Sequence, residues 1–161
     1  MRKREEIERA AFSLLSEFSA IDSDGPVNLQ KILVGIGADV RHGAWGNEQS
    51  RINADGVLVV FLPQHETAKQ YRFLVAHALG HYCLHFYGSE VTFMRGSGRD
   101  VVEANQFASA LMMPESLFRS VWAELDGDAH KVAELMWVST AAVHVRALVL
   151  RLEKDERAVL G

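Results

Sequence analysis

Two histidines four residues apart, His77 and His81, sit inside the run Tyr71 to His85, Tyr-Arg-Phe-Leu-Val-Ala-His-Ala-Leu-Gly-His-Tyr-Cys-Leu-His. Four residues is about one helical turn, so a helix here projects both imidazoles from one face toward a common point. That spacing is a metal-ligand pattern. In its usual form, H-E-x-x-H, a glutamate follows the first histidine and takes a proton from the attacking water without binding the ion. Here that position is Ala78. The segment carries the metal-holding half of a hydrolytic site and lacks the group that moves the proton.

Two ligands leave a catalytic ion short, because such sites usually take three protein ligands and keep one position open. The candidate third ligand is Glu103, 22 residues beyond His81, at the start of a second apolar segment, Val-Val-Glu-Ala-Asn-Gln-Phe-Ala-Ser-Ala-Leu-Met-Met-Pro. A glycine-bearing loop between the two segments lets the second helix fold back on the first. Gly80 supports this reading: glycine inside a helix costs about 1 kcal/mol relative to alanine, so its presence implies that another backbone comes close. Alone, histidines at this spacing are more often core or surface residues than ligands. The glycine, the downstream carboxylate and a third histidine one turn on, His85, shift the balance to a metal site. His85 is displaced along the helix and reads as a residue supporting the ligands or facing the oxyanion; Tyr71 and Tyr82 are further oxyanion candidates. His42, His65, His130 and His144 have no ligand partners in sequence and read as structural or exposed. Zinc suits two imidazoles and a carboxylate, and manganese or iron suits the same set.

The chain has 161 residues, 48% apolar and 24% charged, the composition of one ordinary globular domain. No apolar run has membrane-spanning length, no signal-peptide pattern follows Met1, and the single cysteine excludes an internal disulfide, so the expected compartment is the cytoplasm. Cys83 is expected as a packed core thiol. The net charge of −4 argues against non-specific nucleic-acid binding.

Periodicity predicts an amphipathic helix over 3–18, carried by Ile7, Ala10, Ala11, Leu14, Leu15 and Phe18. A turn at Ser23-Asp24-Gly25-Pro26 follows, then a short helix capped by Asn28 and stopped at Gly35-Ile36-Gly37. Short segments between turns over 38–62, the clearest being 57–62, predict a small antiparallel sheet. Helices are expected over 67–86, from 101 into Leu111-Met112-Met113-Pro114, over 115–125, and as a closing pair over 129–137 and 140–153. The expected fold class is α+β, with residues 1–125 as one unit and 126–161 as a helical hairpin on the same core. An exposed strand within 38–53 is the expected docking edge for an extended peptide.

These residues resemble the ImmA/IrrE metallo-endopeptidases of bacteria and mobile elements. The matching positions are Arg72-Phe73, Ala76-His77, Gly80-His81 and His85; Glu103-Ala104-Asn105, Phe107-Ala108 and Leu111-Met112-Met113-Pro114; and Val138-Ser139-Thr140-Ala141-Ala142. The second block is far more specific than two spaced histidines. The resemblance implies a zincin-like minimal metalloprotease fold, an ion held by His77, His81 and Glu103, and cleavage of a helix-turn-helix (XRE-type) repressor or antitoxin-like partner to relieve repression in mobile-element or stress regulons. Ala78 departs from that pattern and implies an inactive copy, through either an introduced substitution or a natural pseudoprotease that binds without cutting.

A rival reading makes the chain a DNA-binding regulator, because Lys131 to Leu148 resembles a helix-turn-helix with Ser139 capping its second helix. The presumed recognition helix offers Val143, His144, Val145 and Arg146, few of which suit base edges or phosphates. A helical hairpin packed on the core is therefore preferred, with direct DNA binding not expected.

Overall fold

A computed structural model describes residues 1–23, 25–43 and 46–154; Asp24 of the expected turn and residues 155–161 of the expected C-terminal unit lie outside them. The chain runs α1 (Arg4–Glu17), α2 (Leu29–Ile36), β1 (Asp39–His42), β2 (Glu48–Ile52), β3 (Leu58–Leu62), α3 (Ala68–Leu84), β4 (Val91–Met94), α4 (Arg99–Met112), α5 (Glu115–Glu124), α6 (Ala129–Met136) and α7 (Thr140–Val149). This is the expected α+β class. The strands form one sheet in the order β1-β3-β2-β4. Both pairings of β2 are antiparallel, whereas β1 runs parallel to β3, so the sheet is mixed and not antiparallel throughout. β3, buried at all five positions, is internal to the sheet, as its unbroken apolar run requires.

Local signals act as physical stops and starts. Asn28 caps α2 by accepting from the Lys31 N–H, and Gly37 ends it in the left-handed region, φ 69°. Thr67 and Gln70 form a reciprocal capping box that starts α3. α3 packs on the sheet and on α4, and α4 packs in turn on α1. Gly80 is where α3 and α4 meet: a Cβ on it would lie 3.0 Å from the Ala104 Cα and 3.1 Å from its carbonyl oxygen. The close backbone approach expected from the sequence is present.

The closing pair α6 and α7 bends by 107°, with Ser139 capping α7 through the Ala142 N–H. Its Val132, Met136, Val143 and Ala147 belong to the same buried cluster as Ile7, Leu79 and Phe107. Arg146 secures the pair: 2% exposed, it donates from Nε to the Met113 carbonyl and from both terminal nitrogens to the Glu8 carboxylate on α1. Cys83, expected in the core, is exposed instead. Among the described residues no single helix is long and apolar enough to cross a membrane.

Candidate metal centre

α3 places His77, His81 and His85 on one line, one turn apart, all nearly or fully buried. The Nε2 atoms of His77 and His81 converge to 3.1 Å. His77 Nδ1 lies 2.7 Å from the Asn105 side-chain oxygen, His81 Nδ1 lies 2.8 Å from His85 Nδ1, and His85 Nε2 faces the Glu103 carboxylate at 3.4 Å.

Neutral rings can satisfy these contacts in two ways. Asn105 offers an oxygen, so His77 donates from Nδ1 and keeps a lone pair on Nε2. If His85 donates from Nε2 to Glu103, it accepts at Nδ1 from His81, and the two Nε2 lone pairs face each other across 3.1 Å, as two ligands of one cation do. In the other tautomer His85 donates from Nδ1 to His81, which donates from Nε2 to His77. Burial pushes the pKa of both imidazoles down; the Asn105 hydrogen bond raises that of His77 in part, and His77 and His85 add to the lowering of His81, to about 3. The separation also matches two ligands of one tetrahedral zinc, about 3.3 Å for bonds of about 2.05 Å.

Glu103, the expected third ligand, is fully buried on α4. Both of its oxygens accept from Arg2: Oε1 from the backbone N–H at 3.2 Å and Oε2 from the guanidinium at 2.7 Å. Burial pushes its carboxyl pKa up, but the hydrogen bonds from Arg2 and His85 outweigh that and hold it down at about 2. Glu103 is accordingly a committed carboxylate. Among the described residues no group of three or more His, Cys, Asp or Glu side chains is arranged to hold an ion. The donor set fits a metal in chemistry and in the His77–His81 geometry, with the carboxylate engaged by Arg2.

Ala78 is fully buried in the hydrophobic cluster, and no titratable group stands at that position. Of the oxyanion candidates, Tyr71 spends its hydroxyl on the Pro63 carbonyl, Tyr82 stacks on Phe86, and His85 links His81 to Glu103. His42, His65, His130 and His144 are all exposed.

Sequence reasoning assigned no role to three residues that shape the site. Asn105 orients His77 from the turn of α4 that carries Glu103, and its signal was the Glu-Ala-Asn triplet itself. Phe93, on β4, covers His81. Arg2 reaches Glu103 across 101 positions, with no local signal.

β4 lies at a sheet edge and, among the described residues, pairs only with β2. The expected docking edge within 38–53 divides accordingly: β2 is enclosed on both sides, and β1 forms the opposite edge. A cleft of about 610 Å³, lined among others by Phe73, Leu74, Arg95, Met112 and Val138, opens between the start of α3, the end of β4 and the α6–α7 turn. Its Phe73 ring lies 6.1 Å from the His77 ring. A larger cleft between α1 and α5 holds none of the site histidines.

A mixed sheet against a histidine-bearing helix, with a second helix crossing at a glycine, defines a zincin-like, metallopeptidase-type fold. The profile of the IrrE N-terminal-like domain, a peptidase family, matches residues 39–148, about two thirds of the chain, and the chain belongs to that family. A search of curated proteins gave no match.

Proposed function

We propose that this chain is a divalent-metal-holding, metallopeptidase-like protein that engages a helix-turn-helix repressor of the XRE type, or an antitoxin-like partner, and that lacks the base needed to cut it. The observation that carries this reading is the convergence of the Nε2 atoms of His77 and His81 to 3.1 Å. Family membership supplies the reaction class. His77, His81 and Glu103 would hold the ion, zinc by donor set, with manganese or iron as the alternatives. When bound, such an ion activates water and polarises a peptide carbonyl.

The chain's own residues do the rest. Asn105 and His85 fix the two imidazoles as neutral ligands, and Phe93 with the surrounding core keeps bulk water from His81. The free edge of β4 accepts an extended backbone, and the cleft at Phe73 takes an apolar side chain. Ala78 has no group to receive a proton, so a bound peptide is held and not hydrolysed. The missing base is worth on the order of 10² to 10⁴ in rate.

Metal content tests this directly. Purified protein supplied with zinc should retain one ion per chain by elemental analysis, and a His77→Ala, His81→Ala double variant should retain none. Full occupancy in the double variant removes the site.

A further inference from the structure

Arg2 closes over Glu103 with more contacts than a chance ion pair makes. Its backbone N–H and guanidinium occupy both carboxylate oxygens, and a second guanidinium nitrogen donates to the Leu84 carbonyl at 2.6 Å and to the Tyr87 hydroxyl at 3.3 Å. Leu84 is the last residue of α3, so the same cation satisfies a free carbonyl at the C-terminal end of the histidine helix. The Arg2 side chain is 31% exposed while that of Glu103 is 0% exposed. One side of the contact can therefore leave into water and the other cannot.

Resting on the metal reading above, we propose that Arg2 is a latch that competes with the metal ion for Glu103. With the latch seated, the guanidinium neutralises the carboxylate, and His77 and His81 present two donors only. A dication bound to all three ligands would stand beside the guanidinium on the same buried carboxylate, where like charges at a few ångströms repel strongly. Loading thus expels Arg2 from its four contacts. Arg2 precedes Lys3, the N-cap whose carbonyl accepts from the Glu6 and Ile7 N–H groups, so Arg2 can swing out while α1 keeps its cap.

The opposite role is also definite: an arginine that merely orients Glu103 as a ligand would strengthen metal binding, and its removal would weaken it by about 10- to 100-fold. The sign of the change separates the two. Zinc affinity is measured by competition with a chromophoric chelator for the full chain and for Arg2→Ala and Arg2→Gln, each first shown to be folded by circular dichroism. The glutamine variant keeps length and hydrogen-bonding capacity while losing charge. Both variants should bind zinc about tenfold or more tightly than the unaltered chain. Zinc should also speed tryptic cleavage after Arg2 and Lys3 in the unaltered chain, read by intact mass. Unchanged or weaker affinity in both variants overturns the latch; the metal reading then survives if a His77→Ala variant still loses zinc. If no form binds zinc, the metal reading falls and the latch with it.

Discussion

The Phe93 ring lies flat against the His81 imidazole, with centroids 4.2 Å apart and planes 12° from parallel. A four-residue edge strand thereby touches the candidate metal centre, and Phe93 couples β4 to the histidine helix. Phe93→Ala should cost about 3 kcal/mol in urea unfolding, from lost burial and the cavity left beside His81. A loss below about 1 kcal/mol would mean that β4 is not held by this contact.

Gly80 gives a backbone test of the α3–α4 crossing. A methyl group there meets the main chain of Ala104 at 3.0 Å, and a backbone cannot step aside as a side-chain end can. Gly80→Ala should destabilise the protein by about 1–3 kcal/mol even though alanine is the better helix former. A stabilised variant would contradict the crossing.

Stability should fall on acidification. The unfolded His81 takes up a proton as pH drops through about 6.5, while burial, His77 and His85 hold the folded group at about 3. Between those values the unfolded chain binds more protons, so stability declines as pH falls through the window. Glu103 acts in the same direction lower down: its folded value of about 2 lies below the ordinary 4.5, and its contribution is lost as pH falls from 4.5 toward 2. Melting of metal-free protein should show Tm highest near neutrality and dropping from pH 6.5 to 4, with His81→Gln flattening the upper part of the fall. A Tm constant from pH 7 to 4.5 would contradict the buried, neutral histidines.

The α6–α7 pair has the interhelical angle of a helix-turn-helix, between about 90° and 120°, but its outward chemistry is wrong for DNA. Arg146 is buried on Glu8, His144 contacts Glu153, and the exposed face presents Val145, Leu148 and Val149. A gel shift with the chain alone should leave DNA unshifted at physiological salt. A sequence-specific shift would restore the regulator reading.

The parts legible in the sequence were those specified locally. Ile7, Ala11, Leu14 and Leu15 set α1, Asn28 and Gly37 bounded α2, the apolar run of β3 announced a buried strand, and Gly80 announced a crossing helix. What escaped notice depended on distant partners. Val91 to Met94 is too short to show strand periodicity, and only Phe93 among its residues is buried, so β4 becomes visible only once β2 is beside it. The direction of β1 follows from its pairing with β3, which no residue within β1 encodes. Cys83 sits two positions past His81, and its exposure depends on which distant elements reach that side of α3. Glu103 was legible as a carboxylate near the start of the second helix, but its engagement by Arg2 was not, because an ion pair across 101 positions leaves no pattern.

The central claim is that this chain holds a peptidase-type site that lacks its general base at position 78, and Ala78→Glu tests it. The unaltered chain and the variant are each incubated, with zinc or with manganese, with a helix-turn-helix repressor encoded beside the gene, and the repressor is followed by intact mass. The account predicts that both forms bind the repressor and that only Ala78→Glu cuts it, at one position, with a rate at least about 10² above that of the unaltered chain. A repressor left whole by Ala78→Glu under conditions where it is bound would contradict the account.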